Sequence, residues 1–176
     1  MRNFLLGIVA TIVIVIVVGA VAVFNGLVPA NADGPILPGE KWAAQTALRA
    51  AIDRQMVRTP PPIQPTSENL IAGIKIYGEN CIVCHGSSAG ERTDIERGFY
   101  QDATIFAKHG VTDDPEGETF WKVQRGIRWT AMPSFGKVLN ETQMWQVTLF
   151  LKHMDQLPPD AQAAWHDLKQ VVAAPQ

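Results

Sequence analysis

Cysteine is nearly absent from this 176-residue chain, which has only Cys81 and Cys84. A zinc site would need two more ligands at matching spacing, and a thioredoxin-like redox pair would sit in a βαβ pattern that the neighbouring sequence lacks. Charge is sparse as well. With 18% charged residues and a formal net charge of −2, the chain offers no basic surface suited to nucleic acid. Between Phe4 and Phe24, FLLGIVATIVIVIVVGAVAVF, there is no charged residue at all. That one run inflates the 47% hydrophobic content of the whole.

What the two cysteines do have is spacing. Cys81-Ile82-Val83-Cys84-His85 is the attachment signature of a c-type haem. One helical turn from Cys81 to Cys84 puts both sulfurs on one face, where each can form a thioether to a haem vinyl group. His85, next along, then points its imidazole at the iron. A redox pair has no use for that adjoining histidine.

The apolar run from Phe4 to Phe24 measures roughly 31 Å as a helix, matching a hydrocarbon core of about 30 Å. Its β-branched stretch Ile12–Val18 makes a mediocre helix in water, but lipid offers the backbone no other partners. The competing reading is a signal peptide cut after Ala30-Asn31-Ala32. Such peptides have apolar regions of about 7 to 15 residues, shorter than this one, so a retained anchor over 1–28 is the expectation. Arg2 and the terminal amine give a weak inside bias to the amino terminus against Lys41 beyond the run. Covalent haem attachment occurs on the outer side of the bacterial inner membrane, which places everything after Val28 in the periplasm.

Residues 29–65 follow as a periplasmic connecting region. Within it, 40–58 reads as a short amphipathic helix with Ala44, Leu48, Ala51, Ile52 and Met56 on one face. It could lie at the membrane surface, dock on a partner subunit or pack on its own haem domain. Thr59–Thr66, TPPPIQPT, reads as a polyproline-type spacer of about 25 Å separating anchor from head.

Thr66 or Ser67 caps a helix that delivers the cysteines, with Gly73 and Tyr77 one turn apart on it. Asn140 and Gln143 form a capping box for a last helix carrying Trp145, Leu149 and Phe150. Glycine lets the two helices cross closely, with an aromatic ring over the missing side chain. Asp114-Pro115-Glu116 starts another helix. AKHG at 107–110 reads as a helix end with His109 at its negative pole. Phe120, Trp121, Ile127 and Trp129 are expected to line the haem crevice, and Arg128 or Trp129 could bind a propionate.

Across roughly 66–158 this pattern resembles a class I c-type cytochrome, of the bacterial mono- and di-haem variants that carry an N-terminal membrane anchor. The resemblance rests on the Gly73-x-x-x-Tyr77 helix, CIVCH, Met132-Pro133 and the terminal helix with Trp145. It implies an all-α fold around one covalent haem c, with 159–176 as a helical extension. It also implies electron transfer with histidine and methionine as axial ligands. Many members have a proline after the haem motif whose carbonyl accepts the Nδ1 hydrogen of the axial histidine, and residues 86–110 contain none.

The second ligand also follows from the residues. Met144 and Met154 fall in the terminal helix, where methionine is usually core, and His109, His153 and His166 read as capping or solvated. Met132 lies in the loop Gly126–Gly136 ahead of a proline. The expected site is therefore Cys81 and Cys84 as thioethers, with His85 and Met132 on the iron. Thr119–Asn140 contains no acidic residue while Lys122, Arg125, Arg128 and Lys137 are present, which predicts a positive rim beside the ligand loop.

The expected function is a single-pass cytochrome of the bacterial inner membrane carrying single electrons between redox protein partners, with no small-molecule substrate. A haem subunit bound permanently in a respiratory or dehydrogenase complex fits as an alternative. A peroxidase or gas-binding protein fits less well, because it needs an open iron position.

Overall fold

The computed structural model describes residues 1–168, and every regular element among them is helical. The chain divides into two units, Met1–Gly34 and Pro35–Gln176. The first is built on α1 (Arg2–Phe24), which buries none of its residues and is long and apolar enough to cross a membrane. Asn25 ends it, its side-chain amide donating to the Val21 carbonyl at 2.8 Å.

The second unit holds α2 (Glu40–Gln55), α3 (Ser67–Asn80), α4 (Ile82–His85), α5 (Glu116–Arg125), α6 (Glu141–His153) and α7 (Pro159–Asp167). Its frame is the crossing of α3 and α6. Thr66 caps α3 by accepting the Asn69 N–H at 3.3 Å, and Glu68 in the first turn suits the positive end of the helix. The two meet at Gly73, where any Cβ would collide with the Gln146 carbonyl oxygen. Tyr77 lies against the same crossing, its ring edge-on to Phe150 at 5.5 Å. The glycine and aromatic pairing read from the sequence is what the helices use.

α6 starts with a complete capping box, in which Asn140 Oδ1 accepts from the Gln143 amide and Gln143 Oε1 from the Asn140 amide, both at 2.9 Å. This helix buries Met144, Trp145, Val147, Thr148, Leu149, Phe150 and Leu151, so fraying its first turn loosens the core. Asn140→Ala should destabilise the protein by about 1 kcal/mol, and Asn140→Gly by only a few tenths. Urea denaturation followed by circular dichroism measures both. Equal losses for the two would mean that the side-chain cap is not what holds the turn.

α7 extends the core past the terminal helix. Trp165 stands edge-on to Tyr77 at 5.3 Å, and Asp160 accepts the Ser67 hydroxyl at 2.5 Å, tying the start of α7 to the start of α3. The helical extension expected over 159–176 is thus helix to Asp167, and 169–176 lie outside the described residues.

Of the placements open to the amphipathic helix, α2 packs on its own domain. Ile52 is 3% exposed, and Ala44, Leu48, Ala51 and Met56 are half-buried along the expected stripe. Glu40 accepts the Tyr100 hydroxyl at 2.7 Å, and Gln55 the Trp121 indole N–H at 3.4 Å. The proline-rich stretch differs from the free spacer expected. Gly117 leaves room for the Val57 carbonyl just ahead of it, and Ile63 within it packs against the core. An isolated apolar side chain and one glycine on the opposing helix outweigh the stiffness of four prolines.

Candidate cofactor site

α3 ends at Cys81, whose amide still bonds to the Tyr77 carbonyl at 2.8 Å. The chain then makes the single turn α4, in which the amides of Cys84 and His85 both donate to the Cys81 carbonyl, at 3.0 and 2.9 Å. That shared acceptor sets the two half-buried thiols one turn apart. Gly86, at φ 76, redirects the chain where a Cβ would lie 2.6 Å from the Glu91 carbonyl. Its own carbonyl accepts the buried Tyr77 hydroxyl at 2.7 Å, so α3 clamps the exit of the motif. Burial, with Cys84 adding to it, pushes the Cys81 thiol up to about 12. Burial likewise raises Cys84, with Glu96 contributing. Both are neutral thiols at pH 7.

His85 is oriented from two sides. Its ring stacks on Phe106 at 4.4 Å, and its Nδ1 lies 2.8 Å from the Thr104 carbonyl. A carbonyl can only accept, so Nδ1 carries the proton and the Nε2 lone pair is free for a metal. Burial lowers the imidazole below its ordinary value, while the Thr104 bond and the Glu96 charge pull the other way. A neutral ring is the ligating form. Neither Thr104 nor Phe106 was legible as a site residue. No motif marks a residue that serves through its backbone oxygen, and an aromatic 21 positions past the histidine looks like ordinary core.

Met132 sits in a loop that closes on itself. Gly126 begins it at φ 67, where a Cβ would be 2.6 Å from the Pro133 carbonyl carbon and 2.7 Å from the Met132 oxygen. The Ile127 amide donates to the Met132 carbonyl at 3.1 Å, the Met132 amide to Thr130 Oγ1 at 3.2 Å, and Ser134 Oγ to the Gln124 carbonyl at 2.7 Å. Cys81, Phe106 and Met132 all pack, partly buried, against one apolar cluster. Met144 is 4% exposed within that cluster, in keeping with a core role.

Several neighbours depart from expectation. Phe120 does not line a crevice but stacks on Trp145 at 4.1 Å inside the core, and Trp121 faces α2. Trp129 is 87% exposed at φ 61, a left-handed backbone rare for a bulky residue. His109 follows a lone turn rather than a helix, its amide and that of Lys108 both bonding to the Ile105 carbonyl at 3.0 Å. Lys122 drops out of the positive rim, because Glu118 at 2.6 Å and Asp114 at 3.3 Å hold it. Both acids lie just upstream of the acid-free stretch, and the i,i+4 spacing brings Glu118 alongside. Arg125, Arg128 and Lys137 are exposed.

The donor set suits haem c: two thiols on one turn, a neutral histidine with Nε2 available, and a thioether on a preformed loop. No group of three or more His, Cys, Asp or Glu side chains able to hold a bare metal ion occurs among the described residues. Residues 68–151 match the family model described as cytochrome c oxidase, cbb3-type, subunit III. No curated protein and no solved structure matches the chain significantly. Residues 68–151 are thus a c-type cytochrome domain of the class I kind, which implies an electron-transfer protein that carries haem c.

Proposed function

We propose that this chain is a membrane-tethered monohaem cytochrome that carries single electrons between redox protein partners at the periplasmic face of a bacterial inner membrane. The observation that carries the proposal is the His85 ring, fixed by Thr104 on Nδ1 and by Phe106 on its face, directly after the two thiols of one turn. In this reading Cys81 and Cys84 attach one haem covalently and His85 and Met132 bind its iron. The haem supplies a one-electron couple. The chain's residues hold it: the Cys81–Cys84 turn fixes its position, the Thr104 carbonyl strengthens His85 as a donor, and the core between α3 and α6 excludes water. With both axial positions filled, no bond chemistry on a substrate is expected. α1 is the tether, and the exposed Arg125, Arg128 and Lys137 favour an acidic partner surface.

A second reading has support of its own, since the matched family model is named for an oxidase subunit. On that reading the protein stays bound in a respiratory complex, and copurification after mild detergent extraction separates the two. The function itself is tested on full-length protein produced with haem-attachment machinery. Expected results are one haem per chain by pyridine haemochrome assay, a reversible one-electron titration, and sedimentation with membranes that resists salt and alkali. A soluble product beginning at Asp33 would overturn the tether, and a haem stoichiometry other than one the monohaem assignment.

A further inference from the structure

The segment from Gly86 to Gly110 must deliver the Thr104 carbonyl to His85 with no proline to stiffen it. Regular structure does not hold it either. Among the described residues no backbone-to-backbone hydrogen bond involves residues 100–104, and the only regular element between Gly86 and Gly110 is the short turn Glu96–Gly98. Side chains supply the missing restraint in a closed circuit. The Thr93 hydroxyl donates at 2.6 Å to the Val83 carbonyl, inside the Cys-Ile-Val-Cys-His turn. The same oxygen accepts the Glu96 amide at 3.0 Å. The Glu96 carboxylate, in a residue 1% exposed, is gripped by Arg92 through Nε at 2.5 Å and Nη2 at 3.0 Å. Arg92 Nη2 also reaches Asp102 Oδ1 at 2.7 Å. Two residues on, Thr104 closes the circuit on His85 at 2.8 Å.

We propose that Arg92 is a positioning residue for His85, bracing Asp102 against the buried Glu96 so that the Thr104 carbonyl stays on Nδ1. The inference rests on the reading of His85 as an iron ligand. An exposed arginine–aspartate pair contributes little by itself, because water competes for both charges. Here one end of the fork is anchored on a carboxylate out of reach of water, and that carboxylate's backbone is tied to the haem motif. The guanidinium presents Nε and Nη2 together to Glu96 while Nη2 also reaches Asp102, a bidentate geometry that the single ammonium nitrogen of lysine does not reproduce. Tyr100, through its bond to Glu40, is a second and independent restraint on the same stretch.

The brace and the charge of Arg92 act with opposite sign. A carbonyl on Nδ1 makes the imidazole a stronger donor and favours oxidised iron, so losing the brace raises the midpoint potential. Removing a nearby positive charge favours the oxidised state, so loss of charge alone lowers it. Full-length haem-loaded protein in detergent is titrated, and exchange of the His85 Nδ1 proton is followed by NMR in the reduced state. Arg92→Gln and Arg92→Lys should both raise the potential and speed that exchange by about tenfold, the equivalent of one hydrogen bond. Asp102→Asn should move both readouts the same way, by less. An unchanged Arg92→Lys, or a fall in potential for Arg92→Gln, would overturn the brace. If Arg92 variants fail to take up haem, the Nδ1 exchange rate of Asp102→Asn decides, since that side chain is 76% exposed and its lost charge raises the potential by itself; an unchanged exchange rate there refutes the proposal. Wild-type protein without the spectrum of a histidine-ligated low-spin haem would instead fail the site reading, and the brace with it.

Discussion

With Met132 as the proposed iron ligand, Met132→Ala should remove the weak near-infrared sulfur-to-iron band of the oxidised protein and let carbon monoxide or cyanide bind at the vacated position. The loop that carries Met132 is held by main-chain contacts: Ile127 N–H on the Met132 oxygen at 3.1 Å, and the close approach of Pro133 to Gly126. Truncating the side chain therefore deletes the thioether and leaves the loop standing. The reduction potential should fall, because a methionine ligand raises it. Met144→Ala is the contrasting variant. That side chain is 4% exposed in the core, so its loss costs about 2–5 kcal/mol of stability while the band persists. A band that survives in Met132→Ala would assign the ligand elsewhere, with the half-buried Met154 the first to examine.

What the sequence revealed, and what it hid, follows from how each feature is specified. The haem turn, the capping box at Asn140 and the crossing at Gly73 are local patterns. Each is set by residue types at fixed offsets within one or two turns, and the capping box, the crossing and the single helical turn from Cys81 to His85 stand in the structure as read. Contacts between distant segments leave no such trace. The acceptor for His85 is 19 residues away and uses a backbone oxygen, which any residue could provide. Phe120 and Trp121 are adjacent on α5, so at 100° per residue they point apart, one to α6 and the other to α2. Which of the two met which element depended on where α2 docked, and its short apolar stripe suits a membrane surface, a partner or the domain itself. The positive rim failed at Lys122 for a related reason. A window free of acids along the chain says nothing of Glu118 one helical turn upstream.

Gly73→Ala is expected to cost the fold heavily for a single added methyl group. Two effects oppose each other. Alanine favours the helical backbone over glycine by about 0.5–1 kcal/mol, and on an open helix face it would stabilise the protein. At Gly73 the new Cβ meets the Gln146 carbonyl oxygen head-on, with the Gln146 carbonyl carbon at 2.7 Å and Phe150 Cβ at 2.9 Å. These are backbone and branch-point atoms that cannot rotate aside, so α3 and α6 must part. Overpacking of this kind costs about 1–3 kcal/mol, occasionally more. Parting the helices also disturbs Tyr77, whose ring touches Phe150 and whose hydroxyl holds the Gly86 carbonyl at the exit of the haem turn. The net loss should be about 1–2 kcal/mol, or a fall in melting temperature of roughly 5–15 °C for a domain of this size. Gly98→Ala is the matched control, for a Cβ there has nothing within 4 Å, and it should change stability by no more than about 0.5 kcal/mol. Thermal unfolding of both haem-loaded variants, read at 222 nm and in the Soret band, makes the comparison. If Gly73→Ala melts with the wild type, the α3–α6 contact is not the one that sets the stability of this domain, and the α3–α7 packing through Trp165 takes its place.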